Sequence, residues 1–253
     1  MEVCHKQNRV ELATRNLTKY FGEFKALDSV SIDVGNSLTL IIGPNGSGKT
    51  TLINVVTGFL RADEGKVLFK GRDITNLPPH EIFKLGIVRT FQTSQPLKKL
   101  TVLENLLIAS SNEGIFQSFS RNWIKKEEEL ISKALSILKF LNMKHLWREK
   151  AQNLSGGQLR LLEIGRALMC EAKLIIMDEP IAGVAIDLSH IIFKKLRELV
   201  SKGISLLIVE HRLDVALDYA DHVYVMANGR IIAEGKGAEV IENPAVIEVY
   251  LGA

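Results

Sequence analysis

Two spacings of apolar residues run along the chain, one typical of strands and one typical of helices. Apolar and polar positions alternate in Val10–Leu17 and Ala26–Val34, which predicts two antiparallel strands. Short apolar runs at Leu38–Ile42, Leu174–Met177 and Ile204–Val209 predict the buried strands of a parallel sheet. Segments with helical spacing separate these strands, so the pattern indicates an α/β domain.

The other segments fit the same arrangement. The turn residues Asn228-Gly229 between two apolar runs predict a closing hairpin. Residues 110–123 have no regular period and carry scattered aromatic residues, which indicates an exposed loop anchored by Phe116, Phe119 and Trp123. Helices are predicted at Lys49–Gly58, Pro78–Gly86, Thr101–Ala109, Lys125–Leu141, Ser155–Cys170, Asp187–Ser201 and Arg212–Ala220, with further strands at Gly65–Phe69 and Ile87–Phe91.

These elements predict a single domain over residues 1–253. Residues 1–95 and 155–253 are expected to form its sheet-containing core, including an antiparallel β part. Residues 96–154 are expected to form a mainly helical part, because helical spacing dominates there.

Composition places the chain among ordinary globular proteins. Its 32 Lys and Arg against 29 Asp and Glu give a net charge of +3, too small to indicate nucleic-acid binding. The 46% hydrophobic and 24% charged residues exclude the disordered, collagen-like and coiled-coil classes. Cys4 and Cys170 form no disulfide framework and match no metal-binding spacing, so we expect a reducing, cytosolic setting. The sequence shows neither a membrane-spanning run nor a signal peptide, so we expect a soluble chain.

A glycine-rich segment, Gly-Pro-Asn-Gly-Ser-Gly-Lys-Thr, matches the phosphate-binding pattern G-x-x-x-x-G-K-[ST] at every fixed position. Glycines let backbone N–H groups turn toward phosphate oxygens, and the following helix adds the positive end of its dipole. Lys49 is expected to reach the β- and γ-phosphates, and the Thr50 hydroxyl to bind Mg²⁺. The motif predicts a nucleoside triphosphate but does not separate GTPases, kinases, helicases and transporters. The predicted nucleotide-binding residues are Gly43, Pro44, Asn45, Gly46, Ser47, Gly48, Lys49, Thr50 and Thr51.

Two carboxylates follow the predicted strand Leu174–Met177. Asp178 at the strand tip is a candidate Mg²⁺ ligand, acting through water. Glu179 is one residue further, on the other side of the strand, where it is a candidate general base for a water attacking the γ-phosphate. A strand capped by solvated acids is the plain alternative, but the phosphate-binding segment upstream argues against it.

A third segment, Leu154-Ser155-Gly156-Gly157-Gln158, opens the helix that leads to this acidic strand. Two glycines and a serine at a helix N-terminus can form a second anion site. With these motifs in order, and with Gln92 and His211 after short strands, the chain resembles the ATP-binding cassette (ABC) family over nearly its full length. The resemblance implies a P-loop NTPase fold, with a mixed parallel core sheet, an antiparallel β subdomain and a helical subdomain.

The resemblance also implies a set of partners and roles. Two cassettes pair head to tail, as a homodimer or a heterodimer, so Ser155, Gly156, Gly157 and Gln158 would act on the nucleotide held by the other subunit. Gln92 would contact Mg²⁺ or the attacking water, and His211 the γ-phosphate. Phe21 would stack on adenine, with Tyr20 as a neighbouring candidate. ATP and Mg²⁺ are the expected substrate and cofactor, and hydrolysis of ATP the expected activity.

Finer details resemble the ATPase subunits of branched-chain amino acid importers, notably Lys19-Tyr20-Phe21-Gly22, Arg89-Thr90-Phe91-Gln92 and the closing Tyr250-Leu251-Gly252. Cassettes of urea importers and lipopolysaccharide exporters share much of this pattern. A cassette ATPase that serves no transporter is a further alternative, although such proteins usually carry two fused cassettes.

The resemblance implies transmembrane permease subunits as partners, an extracellular solute-binding protein as an indirect partner, and no nucleic acid. It places the chain at the cytoplasmic face of the membrane, docking near Gln92 and Thr93–Leu100. Three positions depart from the family pattern. Leu159 follows Gln158 where Gln or Arg is common. Ala185 stands where Asp or Asn usually ends the loop after Glu179, which puts the usual carboxylate contact across the dimer in doubt. Arg212 follows His211 where an acid is common.

Overall fold

Ten strands form two sheets in the computed structural model of the protein, which describes residues 10–90, 96–110 and 123–251. The smaller sheet is antiparallel, and its strand order is β2-β1-β4-β5. Its strands are β1 (Leu12–Phe21), β2 (Phe24–Val34), β4 (Glu64–Phe69) and β5 (Arg72–Asp73). The predicted antiparallel pair is thereby confirmed, while the two-residue strand β5 is too short for a periodic pattern to show.

The larger sheet has six strands in the order β10-β9-β3-β8-β7-β6. All neighbours are parallel except the terminal hairpin of β9 and β10. Its strands are β3 (Leu38–Ile42), β6 (Ile87–Arg89), β7 (Leu174–Asp178), β8 (Ser205–Val209), β9 (His222–Ala227) and β10 (Arg230–Gly235). The predicted mixed sheet and the hairpin around Asn228 are confirmed.

Helices connect these strands. They are α1 (Lys49–Val56), α2 (Pro79–Lys84), α3 (Val102–Ala109), α4 (Trp123–Phe140), α5 (Gly156–Met169), α6 (Ile186–Ser201), α7 (Leu213–Ala216), α8 (Gly237–Ile241) and α9 (Pro244–Leu251). The helix predicted at Arg212–Ala220 is shorter, because α7 is followed by a 3-10 turn at Leu217–Tyr219. Residues 111–122 of the predicted aromatic loop, with Phe116 and Phe119, lie outside the described residues, and so do Gln92 and Thr93. Trp123 was predicted to anchor that loop, but it begins α4 instead.

Two apolar cores lie against the opposite faces of the large sheet. In β3, Leu38, Leu40 and Ile42 face the core that includes α3, α4, α5 and α6. Ile41 faces the second core, which α1 and the small sheet cover. Successive side chains of a central strand point to opposite faces of the sheet, so they pack alternately into one core and the other. Among the described residues, no helix is long and apolar enough to cross a membrane.

The order of the central strands decides where the site forms. β8 lies between β3 and β7, and all three run parallel. Their carboxyl ends therefore meet at one edge of the sheet, where ligands bind in open parallel sheets. This edge receives the loop after β3, the acids after β7 and His211 after β8.

Candidate functional site

The phosphate-binding segment forms the turn between β3 and α1. Gly48 caps the helix with a φ of 103°, and Gly43 has a φ of 147°, both in the region that favours glycine. A Cβ at Gly43 would lie 2.1 Å from the Met226 backbone oxygen, and one at Gly48 would lie 2.7 Å from the Ala26 oxygen. These two glycines are therefore required by close packing on β9 and β2. By contrast, a Cβ at Gly46 would meet no atom within 4 Å.

Lys49 lies within the curve of this loop. Its ammonium donates to the backbone oxygens of Gly43 at 2.9 Å and Pro44 at 2.7 Å, and to Ser47 Oγ at 3.2 Å. Burial lowers the pKa of this ammonium, although the nearby carboxylates of Glu179 and Asp178 act to raise it. The loop lysine and the acids after β7 thus share one electrostatic environment. Thr50 follows at the exposed start of α1.

Asp178 ends β7 and is 5% exposed. Its Oδ2 lies 3.7 Å from Nη2 of Arg89, at the end of β6. Arg89 also donates to the side chain of Asn54 on α1, so it ties the acidic strand to the helix of the phosphate loop. Burial raises the pKa of the Asp178 carboxyl, and the charge of Arg89 opposes that rise. Arg89 was not predicted as a site residue from the sequence.

Glu179 leaves the strand with a φ of 51°, an uncommon conformation for a residue other than glycine. Its backbone N–H donates to the Val209 oxygen at 2.9 Å, which fixes the turn against β8. Its Oε1 lies 3.0 Å from Nε2 of His211. The structure therefore joins the candidate base and the histidine expected at the γ-phosphate. Both side chains remain partly exposed.

A buried carboxyl lies directly behind this pair. Glu210, at the end of β8, is 1% exposed. It accepts hydrogen bonds from the backbone N–H groups of Ile181 at 3.0 Å and of His211 at 3.2 Å. Burial raises its pKa to about 7, against the effect of these bonds. The residue was missed from sequence because a single acid beside a histidine carries no motif.

The Ser155–Gln158 segment begins α5. Ser155 caps the helix, with its Oγ accepting from the Gln158 N–H at 3.3 Å and its own N–H donating to Gln158 Oε1 at 2.9 Å. A Cβ at Gly157 would lie 1.9 Å from Leu188 Cδ2 on α6, whereas one at Gly156 would meet no atom within 4 Å. Gly157 therefore serves helix packing, while Gly156 leaves the surface open.

Two aromatic residues mark the end of the β1–β2 hairpin. The Phe21 side chain is 48% exposed, and the Lys19 ammonium lies 5.8 Å from its ring centre. The Lys25 ammonium lies 5.3 Å from the ring centre of the partly buried Tyr20. Because Ala26 of the same hairpin packs on Gly48, this end of the small sheet lies beside the phosphate loop. Phe21 thus keeps an open ring face for a stacking ligand.

The structure brings together most of the predicted site. Lys49, Asp178, Glu179 and His211 converge at the edge of the large sheet, with the rest of the phosphate loop around Lys49. The Ser155–Gln158 segment lies at the start of a different helix and packs against α6. Gln92 lies outside the described residues.

Comparison with known families identifies this arrangement. A family model described as "ABC transporter" matches residues 27–182, more than half of the chain. The chain belongs to the ABC transporter ATPase family. A second model, described as "Branched-chain amino acid ATP-binding cassette transporter", matches residues 230–253 of the cassette. That segment contains α9.

Curated relatives and solved structures resemble the cassette over nearly its full length. Probable branched-chain amino acid transport ATP-binding proteins LivG from Archaeoglobus fulgidus and Methanocaldococcus jannaschii are 63% and 61% identical to it. They cover 96% and 95% of this chain, which spans 95% and 97% of theirs. A crystal structure of the ADP conformation of an ABC transporter cassette has 59% identity and a TM-score of 0.87, over 96% of this chain and 99% of that one. A dimeric cassette bound to ADP and Pi in a post-hydrolysis state has 27% identity and a TM-score of 0.73, over 89% of this chain and 98% of that one.

Proposed function

We propose that the cassette hydrolyses ATP as the energising subunit of an importer for branched-chain or other hydrophobic amino acids. The observation that carries the ATPase part is the convergence of Lys49, Asp178, Glu179 and His211 at one sheet edge. The substrate class rests on the C-terminal family match and on the printed names of the relatives.

Each converging residue has a chemical role in this proposal. The loop amides and the Lys49 ammonium bind the phosphates, while Phe21 stacks on the adenine ring. Glu179 accepts a proton from the attacking water, since its carboxylate is held at the site edge and remains partly exposed. His211, in contact with Glu179, donates to the γ-phosphate. Gln92 is proposed to contact the water or Mg²⁺.

The donor set fits Mg²⁺. Asp178 and Thr50 supply oxygen atoms, which this hard cation prefers, and Asp178 is held by Arg89 near the phosphate loop. Among the described residues, no cluster of three or more His, Cys, Asp or Glu forms a metal cage. This agrees with an ion held largely by phosphates and water. When bound, Mg²⁺ neutralises charge on the β- and γ-phosphates.

A second cassette completes the nucleotide site in our proposal. Ser155, Gly156 and Gln158 start α5 on an exposed surface, with Gly156 open to approach. A helix N-terminus of this kind suits the γ-phosphate of a nucleotide bound by the other subunit. The solved dimeric cassette with ADP and Pi supports pairing of two cassettes. The partner is a second copy or a sister ATPase subunit.

Permease subunits are the proposed membrane-crossing partners, with the cassette peripheral at the cytoplasmic face. A cavity of about 300 Å³ opens between β6 and the helices α3 and α5. Its lining combines Phe83, Val88, Ala109, Ala167 and Cys170 with the polar and charged residues Arg89, Thr90, Glu163 and Arg166. Thr90 lines this cavity and lies three residues before the predicted docking edge, Thr93–Leu100, in the sequence. The apolar part of this lining suits a side chain inserted from a permease loop. The binding protein acts indirectly, through the permeases.

The decisive experiment measures ATP hydrolysis by the complete transporter with candidate solute-binding proteins. Leucine-, isoleucine- or valine-loaded binding protein is expected to stimulate hydrolysis, and a urea-loaded one is not. Stimulation by urea, or by lipid without any binding protein, would assign the cassette to a different transporter. Hydrolysis that is equally fast without permeases and insensitive to them would favour a cassette ATPase that serves no transporter.

A further inference from the structure

The residues on either side of His211 both bind the loop that follows Glu179. We define residues 180–185 as the acid loop. On one side, Glu210 accepts a hydrogen bond from the Ile181 N–H at 3.0 Å, near the beginning of this loop. The same carboxyl accepts from the His211 N–H at 3.2 Å. One buried side chain therefore connects the backbone of the acid loop to the backbone of the histidine.

On the other side, Arg212 reaches the end of the acid loop. Its Nη1 donates to the Val184 backbone oxygen at 2.8 Å and lies 3.4 Å from Ser189 Oγ. Its Nη2 pairs with Asp214 Oδ2 at 3.2 Å. Ala185, which caps α6, contributes no side-chain hydrogen bond to that helix. One residue before Ala185, the position where Asp or Asn is usual in the family, the loop is thus held by an arginine from the same chain.

The acid loop itself is a compact turn that can transmit these contacts. The Ala182 N–H donates to the Glu179 oxygen at 3.1 Å, and the Val184 N–H to the Ile181 oxygen at 3.1 Å. Glu179 has left-handed backbone geometry, which persists where surrounding contacts determine it. A shift of the loop would therefore move the backbone that orients the Glu179 carboxylate.

We propose that Glu210 and Arg212 are positioning residues that clamp the acid loop at both ends and thereby set the contact between Glu179 and His211. Neither side chain needs to touch the nucleotide. The inference rests on the proposed roles of Glu179 and His211 in ATP hydrolysis. It accounts for the arginine after His211, a departure from the family pattern that the phosphate chemistry does not require.

Burial alone does not account for Glu210. Removing a carboxyl from water is costly unless hydrogen bonds compensate, and an apolar side chain could fill the same space without that cost. The bonds of Glu210 go to two backbone N–H groups that belong to the two segments in question. This arrangement fits a connection between those segments better than a packing role.

The test compares matched variants of the full chain. Glu210→Met and Arg212→Met remove the hydrogen bonds while keeping side-chain length. Glu210→Gln keeps an acceptor, and Arg212→Lys keeps one charged donor. Glu198→Met and Arg72→Met, at exposed positions on α6 and β5, are the controls. Each variant is measured for kcat, KM for ATP, Kd for ATP and hydrogen exchange.

We expect both methionine variants to lower kcat by about tenfold or more, with KM and Kd changed by less than about threefold. Backbone amides of residues 181–185 and 211–213 should exchange faster, while those of the phosphate loop should not. Glutamine and lysine should give intermediate values, and the controls should match the parent. If a methionine variant fails to fold cooperatively, the graded losses of Glu210→Gln and Arg212→Lys carry the test.

Parental kcat in all four variants would overturn the inference. A loss of activity that comes wholly from higher KM and Kd for ATP, with kcat unchanged, would overturn it too. Unchanged exchange in the acid loop would overturn it as well. Glu179→Gln separates this failure from failure of the proposed function. If Glu179→Gln is inactive while the Glu210 and Arg212 variants are normal, the catalytic role stands and the clamp is wrong. If Glu179→Gln retains parental activity, the catalytic role is wrong.

Discussion

Oε1 of Glu179 and Nε2 of His211 lie 3.0 Å apart, although the two residues follow different strands, β7 and β8. The parallel register of these strands, which pairs Asp178 with Val209, brings the two residues to the same edge. The contact therefore depends on sheet topology rather than on proximity in sequence. It gives the candidate base a defined neighbour that can contact a terminal phosphate.

Glu179→Gln tests the base directly. The amide keeps the shape of the side chain but cannot take a proton from water, so we expect a loss of about 10²–10⁴ in kcat. ATP binding should persist, and the variant should accumulate as an ATP-bound dimer. Steady-state hydrolysis and light scattering with ATP measure both effects. The control is Glu198→Gln on the exposed side of α6, and parental turnover by Glu179→Gln would exclude it as the base.

Lys49→Ala tests the phosphate contact. Losing a charge-assisted hydrogen bond of about 1.5–3 kcal/mol should weaken ATP binding by roughly tenfold to a hundredfold. Calorimetric titration with ATP measures the change. Lys66→Ala is the matched control, because Lys66 is 67% exposed and lies 4.0 Å from Asp73 on the small sheet. An unchanged ATP affinity in Lys49→Ala would contradict the role assigned to this ammonium.

Glu210 should make stability depend on pH. Its pKa is about 7 in the folded chain against 4.5 for the ordinary side chain, so between these values the folded state binds more protons than the unfolded state. Its contribution to stability is therefore full below about pH 4.5 and is lost as pH rises through about 7. Relative to Glu210→Gln, the parent should lose up to roughly 3 kcal/mol of unfolding free energy across this range. Denaturant titrations at several pH values measure the difference, with Glu198→Gln expected to follow the parent. Parallel curves of unfolding free energy against pH for the parent and Glu210→Gln would refute this role of Glu210.

Gly156→Ala and Gly157→Ala should have opposite consequences. A Cβ at Gly157 collides with Leu188, so Gly157→Ala should lower stability by about 1–3 kcal/mol. Gly156 has open space around it, so Gly156→Ala should leave stability unchanged or raise it by up to about 1 kcal/mol. If this surface meets a nucleotide on another subunit, Gly156→Ala should still lower ATP hydrolysis. Thermal melts and hydrolysis rates separate the two effects, and parental hydrolysis by Gly156→Ala would argue against that contact.

Local pattern was enough to predict most of the fold. The alternation at Val30–Val34 in β2 and the apolar runs of β3, β7 and β8 reflect which faces are buried, so the sequence records them directly. In β1 the buried residues do not alternate, because its pairing with β2 and β4 has register shifts. The short strand β5 and the early end of α7 depend on tertiary contacts and leave no periodic signal. The helices α8 and α9 were also not predicted from periodicity.

The residues of the candidate site also fall into two groups, those that a local motif predicts and those that it does not. The phosphate loop and Asp178-Glu179 are contiguous motifs and could be located from sequence. Arg89, Glu210 and Arg212 join segments that are distant in the chain, so their contacts depend on the strand order. Arg212 could be noticed as a departure from the family pattern, but its partner at Val184 could not be inferred.

The alternation of β3, β7 and β8 between two apolar cores has a mechanical consequence. Each of these strands ends in part of the nucleotide site, and each is packed tightly on both faces of the sheet. Close-packed interiors resist small displacements, so a strand end cannot slide without disrupting both cores. The phosphate loop, the acid pair and His211 should therefore travel as one stiff unit. The motion that ATP drives would then take place at the borders of this unit, where it meets other chains.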